Sequence, residues 1–271
     1  MINVHAIQTG KVKVKQFQVT GARNLISRLW QLFFTNNWSE WLPIYCWLIE
    51  HPDGPFLIDA GEIAKVHEYG YLPDRVIVKA AVQYDVKRED EVDYQLKKFG
   101  YETEQIKAIY LTHFHSDHVD GLYHFPRAEI YAPRAAYDFA VSPQGESLGY
   151  FKKNLPKWFQ PKVFDFEDGK EDVFEISKKQ LAGGSMVAVP LPGHAVGHTG
   201  YIVKTESHRY VFSGDATYNA STLQNGVPFV ILNNADAQAS VSKLRQYTQS
   251  PDVVVLCSHD RDAPKKLESK S

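Results

Sequence analysis

The segment Leu111-Thr112-His113-Phe114-His115-Ser116-Asp117-His118 follows directly on the apolar run IKAIY, and it constrains the fold more than any other feature of the sequence. Four side chains able to bind a metal fall within six residues. Burying so many imidazoles and carboxylates in an apolar core is costly unless ionic partners satisfy them. The segment therefore belongs at the end of a rigid strand, facing a polar cleft. Imidazole and carboxylate together suit divalent zinc. A turn leaving a strand can aim His113 and His115 at one point and the Asp117-His118 pair at a neighbouring one, a geometry that favours two metals over one. A lone histidine is commonly a surface residue or a hydrogen-bonded core residue, but a group this dense is not explained that way.

The same design recurs along the chain. His194 stands after MVAVPLPG, Asp215 after RYVFSG and His259 after DVVVLCS, each at the end of an apolar, strand-like run. Rigid scaffolds usually present chemistry in this way, with reactive side chains just beyond strand ends. One such coincidence would carry little; four together are a strong signal.

The rest of the sequence supplies layers. The opening MINVHAIQTGKVKVKQFQV alternates apolar and polar residues around Thr9-Gly10 and predicts a β-hairpin. Residues 21–43, crowded with Trp30, Phe33, Phe34, Trp38 and Trp41, predict a short helix plus loop. IYCWLIEH and PFLIDAG, separated by Pro52-Asp53-Gly54, predict a second hairpin whose last strand ends at Asp59. REDEVDYQLKKFGY opens with acids, spaces Val92, Leu96 and Phe99 helically and closes on Gly100, which predicts a helix. Strand and helix alternate through AEIYAPRAAYDFA, and residues 141–170 form a Pro/Gly-punctuated insertion. MVAVPLPGH, GYIVKT, RYVFSGD and DVVVLCSHD read as strands, with a helix over DAQASVSKLRQYTQ. Two batches of strands flanked by helical stretches predict two packed mixed sheets with helices outside, an α/β sandwich. Nothing resembles a repeat or linker, so residues 1–271 are expected to form one domain, with 21–43 and 133–160 near the cleft.

Composition narrows the class. A chain of 271 residues, 44% hydrophobic and 23% charged, can bury a substantial core, which sets disorder aside. Thirty basic against thirty-two acidic residues leave a net charge of −2, which argues against a dedicated nucleic-acid or anionic-membrane surface. No apolar run approaches the roughly 20 residues that span a bilayer, and Met1-Ile2-Asn3-Val4-His5 lacks the zones of a secretory signal. A cytoplasmic protein is the expectation. Cys46 and Cys257 lie in apolar runs and are expected as buried, reduced thiols.

HFHSDH, His194 in PLPGHAVGHTG, Asp215 in FSGDATY, His259 in CSHD and Asp59 in FLIDAG together resemble the metallo-β-lactamase superfamily, over roughly residues 44–260. The resemblance implies an αβ/βα four-layer sandwich with metals in a cleft at one edge of the two sheets. It implies His113, His115 and His194 on one metal, Asp117, His118 and His259 on the other, and Asp215 bridging them. Asp59 would orient the metal loop through hydrogen bonds rather than bind metal. His198 is expected to fix its loop by hydrogen bonding. His124 is expected to be structural or exposed, and His5, His51, His67 and His208 carry no assigned role. Two zinc ions per chain are expected, since the di-iron, oxygen-reducing relatives carry a glutamate where this chain has His115; iron or cobalt fits the same donor types.

Two cations sharing a carboxylate can share a water and lower its pKa from about 15.7 towards neutrality, which makes hydrolysis by a metal-bridging hydroxide the expected chemistry. The bridging Asp215 departs from the cysteine of the best-known zinc β-lactamases. The twelve residues after His259 argue against the helical domain of glyoxalase II-like thioesterases, and the extra domains and basic surfaces of the nuclease branches are missing. What remains resembles the quorum-quenching N-acyl homoserine lactone lactonases. IYCWLIEHPDGPFLIDAG, the chain length and Tyr218, three residues beyond Asp215, support that reading. In such an enzyme Tyr218 would hydrogen-bond the lactone carbonyl or its developing oxyanion, and Asp117 would relay a proton to the leaving alkoxide. The substrate is then a small-molecule lactone. Residues 21–43 and 133–160 are candidate walls for its acyl tail, or, for 21–43, the contact of a homodimer. A thioesterase or esterase on the same site is the alternative, with a non-catalytic metal-binding module further behind.

Overall fold

The computed structural model describes residues 2–20, 25–72, 80–147, 149–225 and 234–268. Seven strands form the first sheet: β1 (Asn3–Val14), β2 (Leu42–Glu50), β3 (Phe56–Ile58), β4 (Val82–Asp85), β5 (Ala108–Tyr110), β6 (Glu129–Pro133) and β7 (Lys162–Phe164), in the order β4-β1-β2-β3-β5-β6-β7. The second holds β8 (Lys178–Lys179), β9 (Met186–Pro190), β10 (Thr199–Lys204), β11 (Arg209–Phe212) and β12 (Val253–Leu256), ordered β12-β11-β10-β9-β8. β3, β5, β6 and β7 run parallel, as do β11 and β12, and the remaining pairings are antiparallel.

Side-chain alternation explains the layering. Successive residues of a strand face opposite ways, and in β2 both faces are covered. Trp47 and Ile49 join Ile58, Tyr110, Met186, Tyr201 and Phe212 in the core between the sheets, with Trp47 and Phe212 rings 5.3 Å apart. Cys46 and Leu48 point the other way, into a core shared with Val92, Leu96, Leu122 and Ala136 from the helical segments. The second sheet is covered likewise: Val189, Ile202, Val211 and Val255 pack against Val241, Leu244 and Tyr247 of the helix Asn234–Tyr247. Helix, sheet, sheet, helix is the predicted order of layers. Both cysteines are buried free thiols, and burial pushes the Cys257 thiol up to about 12.

One expectation fails. Residues 3–14 are a single strand, not a hairpin, pairing with β2 on one side and β4 on the other, and Thr9-Gly10 marks a register shift between Gln8 and Lys11. The second hairpin, β2 and β3 around Pro52-Asp53-Gly54, forms as expected. So does the helical stretch from Arg88 to Phe99, closed by a left-handed Gly100. Within 21–43, a helix runs over Leu25–Phe34. No helix among the described residues is long and apolar enough to cross a membrane.

Candidate metal centre

Strand direction brings the candidate ligands to one place. β3 and β5 are parallel neighbours, so Asp59 and Thr112-His113 leave the first sheet at the same edge. β9, β11 and β12 share a direction in the second sheet, so His194, Asp215 and His259 follow strand ends at a common edge there. Hydrogen bonds join the two edges, among them Tyr45 N–H to Ser258 O, Thr199 N–H to Thr112 O, and Tyr201 O–H to Leu111 O, each 2.9 Å.

Six of the seven candidates sort into two clusters. His115 Nδ1 lies 3.0 Å from both His113 Nε2 and His194 Nε2. In the second cluster His259 Nε2 is 3.5 Å from Asp117 Oδ2, and His118 Nε2 is 3.9 Å from Asp117 Oδ1. Asp215 stands between them, with Oδ2 3.5 Å from His194 Nε2 and Oδ1 3.3 Å from both His118 Nε2 and His259 Nε2. Each triad has its donor atoms within 4.8 Å of one another.

Surrounding bonds decide which nitrogen of each ring faces inward. Asp59 Oδ1 accepts the Thr112 N–H, and Oδ2 accepts the Thr112 hydroxyl and faces His118 Nδ1, all at 2.8 Å. The threonine proton is thereby used, so Thr112 Oγ1 can accept from His113 Nδ1 at 3.1 Å. His259 Nδ1 donates to the Pro43 carbonyl at 2.8 Å. In all three rings Nδ1 is engaged by these bonds and Nε2 faces the centre, the orientation metal-binding histidines need. His198 accepts the Asp215 N–H through Nε2 at 3.1 Å, which fixes the bridging candidate's backbone and fulfils the loop-fixing expectation. Gly214 (φ 50°) leaves the room for this, since a Cβ there would lie 2.7 Å from His198 Nε2.

The electrostatics divide the two clusters. Burial holds His113 and His194 well below the ordinary imidazole value, and neighbouring imidazoles add to the effect. Burial also works against charge on His118 and His259, but Asp215 with Asp117, and Asp59 for His118, outweigh it and raise both. Asp215 is correspondingly held well below the carboxylate range: His259 and His118 overcome its burial. His198, buried, falls to about 3. Crowded lone pairs fit cations: His118 Nε2 and Asp215 Oδ1 are buried without a hydrogen-bond partner, an arrangement that costs free energy until something positive sits between them.

Tyr218 is buried with its ring stacked on His259, centroids 5.4 Å apart, and burial with Asp215 and Asp117 keeps its phenol protonated. His124 ties to Glu91 at 2.6 Å and Asp93 at 3.3 Å, a partly exposed group that Arg88 also joins. His51 contacts Ser185, His5 faces Glu50, His67 meets the Val86 carbonyl, and His208 bonds its neighbour Ser207. Sequence reasoning missed Thr112, the Pro43 carbonyl and Tyr150, whose ring packs 5.0 Å from His115. Only Thr112 left a trace, as the hydroxyl adjoining the first histidine.

Comparison with known proteins agrees with this geometry. A sequence model of the metallo-beta-lactamase superfamily matches residues 39–259. The N-acyl homoserine lactonase AttM of Agrobacterium fabrum is 28% identical over 234 residues, spanning 82% of this chain and 83% of its own. An N-acyl homoserine lactonase from a Bacillus species is 27% identical over 220 residues, 81% of this chain and 82% of the relative. Among solved structures, an N-acyl homoserine lactone hydrolase with the product N-hexanoyl-L-homoserine bound at its catalytic metal center has a TM-score of 0.77 at 22% identity, covering 97% of this chain and 94% of that one. AidC, a dizinc quorum-quenching lactonase, has a TM-score of 0.64 at 15% identity, covering 96% and 88%. At such identities the structural likeness speaks to the fold.

Proposed function

Since the chain belongs to the metallo-β-lactamase superfamily, we propose that it is a dinuclear zinc hydrolase that opens the lactone ring of N-acyl homoserine lactones. The observation that carries the reading is Asp215, whose two carboxylate oxygens face different histidine clusters. His113, His115 and His194 would hold one ion, Asp117, His118 and His259 the other, and Asp215 both. Zinc ions bound there would supply Lewis acidity and lower the pKa of bound water, so that hydroxide would be available near neutral pH.

The chain's own groups complete the reaction. Tyr218, protonated beside His259, donates a hydrogen bond to the carbonyl oxygen as negative charge develops on it. Asp117 would relay the proton of the attacking hydroxide to the leaving ring oxygen. Asp59 and Thr112 hold two of the rings in their binding orientation. The relatives named as N-acyl homoserine lactonases support the substrate class. The exposed Leu29, Trp30, Phe33 and Phe34 support residues 21–43 as an acyl-tail wall or as the contact of a homodimer.

The test is base uptake at constant pH by the zinc-loaded protein given a homoserine lactone series, a thioester and a β-lactam. Opening of N-acyl lactones well ahead of the others is expected. Tyr218→Phe should keep its metal and lose roughly 10- to 100-fold in kcat. A fully metallated protein that opens no lactone at any chain length contradicts the substrate, and faster thioester cleavage points to the thioesterase alternative.

A further inference from the structure

Three of the candidate rings are held at the nitrogen that faces away from the centre: His113 by Thr112, His118 by Asp59 and His259 by the Pro43 carbonyl, each at Nδ1. His115 cannot be held in this way. Its Nδ1 is the atom that faces His113 Nε2 and His194 Nε2, both at 3.0 Å, so this ring presents the opposite nitrogen to the centre. It is also the one partly exposed ring of its triad. His113 and His194 stand nearly at right angles to it, with ring centroids 4.7 and 4.9 Å away. The remaining cover comes from Tyr150, whose ring centroid lies 5.0 Å from that of His115 with the planes 38° apart. Gly149 runs along the outer edge of the imidazole, where a Cβ would lie 3.6 Å from Cδ2 and 3.8 Å from Nε2.

Tyr150 is itself firmly placed. It is 2% exposed and belongs to the core cluster that holds Phe114, from the metal loop, and Ala195, next to His194. Phe139, on the helix Arg134–Ala140, meets its ring edge to face at 5.5 Å, and its N–H donates to the Gly145 carbonyl at 3.2 Å. Further on, the Asn154 amide donates to the Tyr71 carbonyl at 3.3 Å. Residues 145–154 therefore form a strap anchored on both sides of Tyr150. An imidazole turns about two side-chain bonds, and a flat, immobile ring against it removes the rotations that carry Nδ1 away from the centre. The ordering of His115 then takes place on folding and no longer counts against metal binding. We propose that Tyr150 is the positioning residue of His115 and that the face of its ring sets the affinity of the first cluster for its ion. The inference rests on the two-ion reading of the site.

Zinc affinity measured by chelator competition tests this, in the wild-type chain and in a His259→Ala background, where the second cluster is broken and the remaining ion reports the first. Tyr150→Leu, which fills much of the space without a flat ring, should weaken the first ion about 10- to 100-fold, the usual loss when a group that orients a ligand is removed. Tyr150→Phe keeps the ring and should bind as wild type does. With cobalt in place of zinc, the visible bands of the first site should shift in Tyr150→Leu and stay in place in Tyr150→Phe, a distinction that a purely structural role would not produce. Should Tyr150→Leu fail to fold, Tyr150→Met, a flexible side chain that repacks readily, makes the same comparison. An unchanged first-ion affinity in the Leu or Met variant overturns the proposal. So does an equal loss in Tyr150→Phe, which would place the effect on the hydroxyl, and so does an equal weakening of both ions in the chain that keeps His259, which would mean a general loosening of the fold. If wild type takes up fewer than two ions, the two-ion reading itself falls; if it takes up two and Tyr150→Leu holds both as tightly, only the positioning role does.

Discussion

Asp59 adopts a left-handed backbone (φ 59°), a conformation that non-glycine residues take at a cost. Its carboxylate then serves Thr112 twice and His118 once. Asp59→Ala leaves a buried N–H and a ring without their acceptor, so zinc affinity should drop about 10- to 100-fold and stability by about 1–3 kcal/mol. Chelator competition and urea unfolding measure the two. Protonation separates the clusters further. Before metal binds, His113 and His194 are held neutral, so an ion among them displaces few protons, whereas His118 and His259 keep theirs above the ordinary imidazole value of about 6.5. A raised pKa means that the proton competes with metal as pH falls and yields as pH rises. Zinc content should therefore climb from one towards two per chain as pH rises above the ordinary imidazole value, with proton release on the second ion seen by calorimetry in buffers of different ionisation enthalpy. A content that does not change with pH contradicts this. His198 has the opposite sign: with its folded value depressed to about 3, the stability it contributes is present above about 6.5 and is lost as pH falls towards 3. The seven candidate ligands were legible because metal-binding residue types stood out after apolar runs. Their supports were not, since threonine and a proline carbonyl are unremarkable until the chain folds.

Among the elements, the strands ending in His or Asp and the β2–β3 hairpin were readable from apolar runs and turn residues. The first strand was misread for a physical reason. A turn and a bulge both call for a glycine at positive φ, and only the partner strands decide between them. Gly10 (φ 101°) also lies so close to β4 and the residue after it that a Cβ would sit 2.7 Å from Val86 Cγ2 and 2.9 Å from the Asp85 carbonyl. Gly10→Ala should thus cost about 1–3 kcal/mol, from the strained φ and the clash together. Differential scanning calorimetry would register it as a lowered Tm. A neutral result would mean that the β1 register can slide past β4 without loss.

At the scale of the whole molecule, the four layers were legible because two batches of strands with helices around them have few ways to bury their faces. Where the layers meet was less legible. Tyr84 comes to lie beside Ser116 of the metal loop only because β4 returns to pair with β1. Ala140, Tyr150, Phe151, Lys152 and Leu155 of the 133–160 stretch line a small hollow beside Ser116 and Asp120. Everything proposed for catalysis depends on two ions held at the meeting edge of the sheets. Anomalous scattering at the zinc edge, from a crystal of the zinc-loaded protein, observes this directly. Two peaks per chain are expected, one among His113, His115 and His194, the other among Asp117, His118 and His259, with Asp215 reaching both; a single peak, or two with Asp215 bound to neither, would contradict it.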